Sequence, residues 1–302
     1  MAFVGYRDIL GSSYHEMVKM MWARSKIFRD VTTPLWLSKV NETFKKEAYD
    51  FQPDIVLVLK GDALLPKYIE NIRKSTGAKI ALWYPDDPRF FRSLVSHIAP
   101  RYDVVFTYSK NARMLYESIS VSNVFRIPFG CDPFVHKGKL IQKGLLKRAL
   151  FIGTFTPKRY LFIRKLISLG CPVDIVGPKW VFAPKKLVVE PPLIGPEYVA
   201  KMQSYSVVLN IHNHISYGPN MRTFEVTGSG GVLLTDRAED VTDFFYEGKE
   251  ILVYDSPEHA AQQIKEFIEA PEILYEMASK AQGRCYSHNT YDKRAKLILS
   301  LI

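Results

Sequence analysis

The sequence lacks a long apolar run and contains very few cysteines. No stretch reaches the ~18 consecutive apolar residues that a membrane-spanning helix needs. The opening residues, MAFVGYRDILGSS, lack the charged, apolar and small-residue order of a secretion signal. The three cysteines, Cys131, Cys171 and Cys285, are spaced for neither a disulfide framework nor a zinc site. We therefore expect a cytoplasmic globular protein with reduced thiols.

Nucleotide-binding and metal-binding fingerprints are missing as well. The chain contains neither the G-x-G-x-x-G dinucleotide motif nor the G-x-x-x-x-G-K-[ST] P-loop. His212 and His214 are close in sequence, but no third ligand lies at a spacing that suits a metal. We expect no metal and no separate cofactor, so any bound nucleotide must be held in another way.

Basic charge is concentrated in the first half of the chain. Of the net charge of +10, residues 1–150 hold 24 Lys+Arg against 14 Asp+Glu, whereas residues 151–302 hold 17 of each. A field of one sign concentrates an anionic partner, such as nucleic acid, anionic lipid or an acidic polymer. A solvated basic surface without a partner is the plainer alternative.

Short apolar runs alternate with helical patterns along the chain, which predicts α/β domains with parallel sheets. The predicted strands cover 2–6, 54–59, 79–84, 103–108, part of 124–133, 149–153, 173–176, 207–212 and 232–234. The predicted helices begin near Tyr14 and at Asn220 and cover 64–75, 109–119, 158–169, 196–204, 258–268, 272–285 and the last residues. A length of 302 residues suits two domains of this kind.

The stretch PNMRTFEVTGSGGVLLTD, residues 219–236, combines a helix start with an early stop. Asn220 is a good N-cap, and the glycine pair that follows the helix ends it before an apolar strand. Met221 and Phe224 fall on one helical stripe with Gly228, and we expect that stripe to be buried.

Arg222 and Glu225 share another stripe of the same helix. A helix N-terminus beside an arginine attracts anions, and a carboxylate one turn on can accept from two hydroxyls. The stretch GTFTPKRYLFIRKL supplies a second cationic helix start, where Gly153 lets the backbone approach a ligand and Lys158 and Arg159 follow. Both helix starts follow parallel strands, whose carboxyl ends form the ligand edge of an open sheet. The pair predicts a diphosphate-bearing ligand.

Other polar residues are candidates with a structural alternative. Asp86 and Asp87 follow a strand in WYPDDPRFF and could act as a base toward an acceptor hydroxyl, or cap a turn. His15 could do the same or be a surface residue. His212 lies with Asn210 and Asn213 in a polar loop that we expect to face the ligand. Trp180, after Gly177, could stack on a base, although a core position is the plainer interpretation.

These motifs resemble a known family. Residues 220–264 resemble the donor half of the spore-maturation CgeB-like glycosyltransferases, which are GT-B enzymes. The resemblance extends to ALWYPDDPRFF, to YDVVFTYSKN with VFRIPFGCDP, to GTFTPKR and to SHNTYDKRAKLIL, and so covers most of 80–302. The first 50 residues match poorly, which leaves the acceptor open.

The resemblance implies two Rossmann-like domains that face each other across a cleft, with a last helix that crosses back to the first domain. The domains would cover 1–145 and 146–285, and the helix 286–302. Arg159 and Arg222 would hold the donor diphosphate, and Glu225 the ribose hydroxyls. The whole donor site would comprise Gly153, Thr154, Lys158, Arg159, Gly177, His212, Asn213, Asn220, Met221, Arg222 and Glu225.

Many related retaining enzymes carry a second Glu eight residues before the ribose-binding one, where this chain has Tyr217. Sugar recognition would therefore differ, or fall to the loop around His212.

The implied reaction is metal-independent transfer of a sugar from a nucleoside diphosphate sugar to a hydroxyl. An anionic macromolecule is the expected acceptor, either DNA of the phage-modified type or a membrane or cell-surface glycan or lipid, and no dedicated protein partner is evident. The basic, apolar segment 15–31 would suit a membrane surface or a core helix. A sugar-nucleotide epimerase or hydrolase and a non-catalytic nucleotide-binding relative are the alternatives.

Overall fold

The computed structural model of the protein describes residues 26–88, 90–140, 144–180, 187, 189–212 and 218–302, with side chains from residue 34 onward. It divides into two compact units, the first ending at Ile127 and the second running from Pro128 to Leu301. Residues 1–127 carry 19 Lys+Arg and 13 Asp+Glu, whereas residues 128–302 carry 22 and 18. The excess charge is therefore shared between the units as +6 and +4, because the basic link that follows His136 belongs to the second unit.

The described part of the first unit contains a four-stranded parallel sheet in the order β1-β2-β3-β4. Its strands are β1 (Ile55–Leu59), β2 (Lys79–Tyr84), β3 (Val104–Thr107) and β4 (Val124–Arg126). Its helices are α1 (Lys26–Phe51), α2 (Pro66–Thr76), α3 (Ser96–Ile98) and α4 (Arg113–Glu117), with a π-helix over Phe91–Val95 and a 3₁₀ turn over Ala99–Arg101. Buried aliphatic side chains of the strands pack against α2, whose Ile69 and Ile72 are fully buried.

The second unit contains a six-stranded parallel sheet in the order β10-β9-β8-β5-β6-β7. Its strands are β5 (Leu146–Ile152), β6 (Val173–Val176), β7 (Val189–Glu190), β8 (Tyr205–Asn210), β9 (Leu233–Asp236) and β10 (Leu252–Tyr254). Its helices are α5 (Pro157–Ser168), α6 (Gly195–Gln203), α7 (Met221–Ser229), α8 (Pro257–Phe267), α9 (Pro271–His288) and α10 (Tyr291–Leu301), with a 3₁₀ turn over Val241–Asp243. Strands β6 and β8 are buried along their whole length, as expected for a parallel sheet covered on both faces.

Most predicted elements are confirmed with small shifts of their ends, and β2 and β6 match residue for residue. The short strands β7 and β10 were not predicted, because two or three residues are too few to show a periodic pattern. The predicted strand over 2–6, the helix start near Tyr14 and His15 lie outside the described residues. The three cysteines are free and buried in the structure.

The last helix, α10, has contacts in the second unit that its sequence did not reveal. Arg294 is buried and donates from Nε to the carbonyls of Pro128 and Phe129, at 3.2 Å each. Its Nη2 donates to Asn289 Oδ1 at 2.7 Å. Arg294 therefore joins the start of the second unit to its C-terminal segment. The packing of α10 on the first domain, and the domain boundary at residue 145, stay predictions.

Candidate nucleotide-binding site

The candidate site lies where the chain changes direction across the second sheet. Strand β5 pairs with β6 on one side and with β8 on the other. The chain leaves β5 toward β6 and later returns to β8, so a topological switch point lies between β5 and β8. Ligands of open parallel sheets bind beyond the strand carboxyl ends at such a point. Helix α5 begins after β5 and α7 begins after β8, so both predicted helix starts lie at this edge.

The start of α7 is capped as its sequence predicts. Asn220 Oδ1 accepts from the backbone N–H of Thr223 at 3.3 Å. Asn210, at the end of β8, exchanges side-chain hydrogen bonds with Asn220 at 3.0 and 3.2 Å and donates to Thr235 Oγ1 at 3.1 Å. The cap residue is thus fixed to β8 and β9. The amides of Met221 and Arg222 have no capping side chain among the described residues and can bind an anion.

His212 positions this helix start. Its Nδ1 lies 2.5 Å from Asp236 Oδ1, and its Nε2 accepts from the backbone N–H of Asn220 at 3.3 Å. These partners fix the neutral tautomer with the proton on Nδ1. Burial alone would raise the pKa of Asp236, but the hydrogen bonds from His212 and the charge of Lys158 hold that pKa below its usual value. Both ring nitrogens are committed to the protein, so the geometry gives His212 a positioning role. Asn213 and His214 lie outside the described residues.

Arg159 places a partly buried cation beside the switch point. Its Nε donates to Ile211 O and its Nη1 to Thr154 O, at 3.0 Å each, and its guanidinium lies 5.5 Å from the Phe151 ring centroid. Burial lowers the pKa of Arg159, and the charge of Arg222 lowers it further. Two arginines from different helices therefore repel each other across this space, and a bound anion between them would relieve that repulsion. The third guanidinium nitrogen, Nη2, has no partner among the described residues.

Lys158 adds a third cation. Its Nζ donates to His212 O at 2.8 Å and lies 3.9 Å from Asp236 Oδ2. The ammonium group is half exposed and can approach a ligand that enters from solvent.

Arg222 and Glu225 pair with each other on α7. Arg222 Nη1 donates to Glu225 Oε2 at 2.6 Å, and the hydroxyl of Tyr198 donates to the same oxygen at 2.7 Å. The guanidinium also lies 5.0 Å from the Tyr198 ring centroid. Glu225 Oε1 has no partner in the described chain and is free to accept. Tyr198 and Asp236 were missed from the sequence; Asp236 could have been found, because it ends β9 at the same sheet edge.

The glycines of the site act mainly through backbone proximity. Gly177 has φ +148°, and a Cβ there would lie 2.3 Å from Gly153 O. The turn after β6 therefore rests on the turn after β5, and Gly177 makes that approach possible.

Trp180 donates from Nε1 to Gly153 O at 2.9 Å and packs against Phe151 and Phe155, so it fills the core. Met221 corrects a prediction: it is 47% exposed, because the first turn of α7 projects beyond the sheet edge, whereas Phe224 is buried as expected.

Asp86 and Asp87 lie in the first unit after β2, and they differ sharply. Asp87 is 2% exposed; its Oδ2 accepts from Thr107 Oγ1 and from the Tyr116 hydroxyl at 2.7 Å each. Burial raises the pKa of Asp87 to about 6, although these two hydrogen bonds oppose the rise. Asp86 is more exposed and pairs with Lys60 at 2.6 Å. The geometry gives Asp87 a role in fixing the loop and leaves Asp86 accessible.

No group of three His, Cys, Asp or Glu side chains that could hold a metal occurs in the described ranges. Among the helices that the structure describes, none is long and apolar enough to cross a membrane.

The fold matches solved structures of sugar-transferring enzymes. Sucrose-phosphate synthase from Thermosynechococcus elongatus superposes with a TM-score of 0.68 at 11% identity, over 90% of this chain and 78% of that chain. HepE from Anabaena, in complex with UDP-glucose, gives 0.66 at 12% identity, over 87% and 81%. These structures have the GT-B fold, and with its two parallel-sheet α/β units this chain has that fold too.

The sequence points to a particular branch of that class. Residues 158–300 match the family model described as "Glycosyl transferase-like". The spore protein CgeB of Bacillus subtilis strain 168 is 23% identical over 206 residues, 62% of this chain and 64% of that protein. The chain thus spans about 64% of the length of this curated relative. The resemblance to the CgeB-like GT-B glycosyltransferases is confirmed.

Proposed function

We propose that the protein transfers a glycosyl group from a nucleoside diphosphate sugar to a hydroxyl of an anionic macromolecule. The observation that carries the proposal is that Arg159 at the start of α5 and the Arg222–Glu225 pair at the start of α7 lie at the same sheet edge, where the two helices follow the neighbouring strands β5 and β8. Two cations and a helix N-terminus suit a diphosphate, and a carboxylate with a free oxygen suits a ribose. The UDP-glucose bound to HepE is consistent with this kind of donor.

Catalysis would come from stabilising the diphosphate as it leaves. Negative charge grows on the departing group, and Arg159, Arg222 and Lys158 are already held in place by protein hydrogen bonds or contacts. Groups that are positioned before the reaction need no reorganisation when the charge develops. This mechanism needs no metal.

The first unit would supply the acceptor side. Its residues carry a net charge of +6, which favours an anionic acceptor, although less than the division of the chain into halves suggested. We assign the role of orienting an acceptor hydroxyl to Asp86, which is partly exposed beside Lys60, because Asp87 is buried against Thr107 and Tyr116. DNA and a membrane or cell-surface glycan or lipid remain the candidate classes, and His15 stays a candidate outside the described residues.

A labelled-sugar assay tests the proposal. The protein is incubated with radiolabelled UDP-, GDP-, TDP- and ADP-sugars, each with duplex DNA, with anionic lipid vesicles, or with neither, at two salt concentrations. We expect one donor whose label moves to an acceptor, more weakly at high salt because the attraction is electrostatic. Isomerised or hydrolysed sugar without an acceptor would instead identify an epimerase or hydrolase, and binding without turnover a non-catalytic relative.

A further inference from the structure

His136 occupies a fixed position at the start of the second unit. Asp132 Oδ1 accepts from the backbone N–H groups of Phe134 at 2.8 Å and Val135 at 3.3 Å, which forms a tight turn. The backbone N–H of His136 donates to Asp132 O at 2.7 Å and closes this turn. The side chain that follows is only 7% exposed. The imidazole is therefore held by its own local chain before any ligand binds.

The same turn fixes the tautomer of the ring. The backbone N–H of Asp132 donates to His136 Nδ1 at 3.0 Å. A neutral imidazole whose Nδ1 accepts must carry its proton on Nε2. Burial lowers the pKa of His136, which keeps the ring neutral near pH 7. Nε2–H has no hydrogen-bond partner among the described residues, so an oriented donor is left unused.

The ring lies beside the carboxylate of the candidate site. Its centroid is 6.4 Å from that of Tyr198, in an edge-on arrangement, and the Tyr198 hydroxyl donates to Glu225 Oε2. The charges of Glu225 and Arg222 both act on the pKa of His136, the first raising it and the second lowering it. Both donors to Glu225 use Oε2, so Oε1 is the free acceptor. A free donor and a free acceptor thus lie in one neighbourhood.

We propose that His136 is a ribose-contacting residue, in which Nε2–H donates to one hydroxyl of the nucleotide ribose while Glu225 Oε1 accepts from a ribose hydroxyl. This inference rests on the proposed function, since it requires a ribonucleotide in this site. A vicinal diol can both donate and accept hydrogen bonds, so it suits a fixed N–H beside a carboxylate oxygen. An ionised phosphate has no donor for the carboxylate, and a deoxy position has neither a donor nor an acceptor. The pair would select ribonucleotides over deoxyribonucleotides.

Deoxynucleotide discrimination tests the role of His136. The dissociation constants of UDP, GDP and ADP, and of their 2′-deoxy and 3′-deoxy forms, are measured by calorimetry for the wild type, His136→Asn and His136→Gln. Asn keeps an acceptor near the position of Nδ1 but lacks the distal donor, whereas Gln can place an amide donor near the position of Nε2. We expect the wild type to bind at least one deoxy form about tenfold more weakly. This penalty should fall to about twofold in His136→Asn and persist in His136→Gln.

The outcomes separate the two proposals. Binding of no nucleotide by the wild type would overturn the proposed function and this inference with it. Tight binding with the same deoxy penalties in His136→Asn as in the wild type would overturn the role of His136 alone. If His136→Asn does not fold, NMR titration of the wild type tests the role instead, through the Nε2–H resonance of His136. The loss of that resonance in His136→Gln assigns it. It should shift with the ribonucleotide and not with inorganic pyrophosphate, and an equal shift with both would contradict a ribose contact.

Discussion

Arg222 Nη1 and Glu225 Oε2 are joined at 2.6 Å across a single turn of α7, at the carboxyl edge of the second sheet. The charge of Arg222 also acts on Arg159, whose pKa it lowers further after burial has lowered it. The hydroxyl of Tyr198 supports the same carboxylate oxygen, so the pair is oriented without a ligand. In the proposed function, a diphosphate bound here would meet cations that are already positioned, and Glu225 would keep one oxygen for the sugar of the nucleotide.

Removing either arginine should nearly abolish transfer. In Arg159→Met and Arg222→Met the charge is lost but an apolar stem remains, and we expect kcat to fall by about 10²- to 10³-fold, as for a lost donor to a developing oxyanion. Arg164→Met is the matched control, because Arg164 lies exposed on α5 against Tyr160. Transfer by Arg164→Met should equal that of the wild type. Wild-type kcat in either test variant would show that the diphosphate binds elsewhere.

The helix start should depend on the carboxylate of Asp236. Asp236→Asn replaces one acceptor oxygen with an amide that cannot accept from His212, so it should destabilise the second unit by about 1–3 kcal/mol at pH 7. The pKa of Asp236 is held below its usual value, so its stabilising contribution is complete above about pH 4 and is lost as the pH falls through the folded-state pKa. Urea unfolding at pH 7 and below pH 4 measures this, and an equal loss at both would contradict the ionised role.

The close approach of two turns should make Gly177 intolerant of a side chain. Gly177→Ala places a methyl group 2.3 Å from Gly153 O at φ +148°, whereas Gly170→Ala, at φ +81°, meets no atom within 4 Å. The control should lose about 1–2 kcal/mol from backbone strain alone. Gly177→Ala should lose a further ~1–3 kcal/mol from crowding. Thermal unfolding of both variants checks this difference, and equal midpoints would show that the turns do not press on each other.

Asp87 should make the first unit less stable as the pH rises. Its folded pKa of about 6 lies above the unfolded value of about 3.9, so its favourable contribution is complete below pH 4 and is lost as the pH rises through 6. The difference corresponds to about 3 kcal/mol. Asp87→Asn should remove this slope while its amide oxygen still accepts from Thr107 and Tyr116. Urea midpoints between pH 4 and pH 7.5 measure the slope, and a slope unchanged by the substitution would assign it to other groups.

Local sequence predicted those parts of the site that depend on neighbours along the chain. The Asn220 cap, the Arg222 and Glu225 stripe and the β5–α5 turn all follow from residues a few positions apart. The partners that complete the site are distant in sequence: His212 contacts Asp236 from a neighbouring strand, and Glu225 contacts Tyr198 from a neighbouring helix. No periodicity or cap encodes such contacts.

Exposure also escaped local reasoning. Met221 lies on the same helical face as Phe224, yet Met221 is exposed and Phe224 is buried. The first turn of α7 lies beyond the sheet edge, so this part of the helical face has no core to pack against. The two aspartates after β2 are adjacent in sequence and receive opposite environments, one against buried hydroxyls and one beside Lys60. Only the packed structure distinguishes them.

Calorimetric titration of a UDP-, GDP-, TDP- and ADP-sugar panel into the wild type, Glu225→Gln and Glu272→Gln tests the account most directly. Glu272 is exposed in the first turn of α9 and serves as the matched control. We predict that the wild type and Glu272→Gln bind one nucleotide sugar equally well. Glu225→Gln should bind it at least about tenfold more weakly, because the ribose loses a charged acceptor. Equal affinity in all three proteins, or no binding to the wild type, would contradict the assignment of this site to a nucleotide sugar.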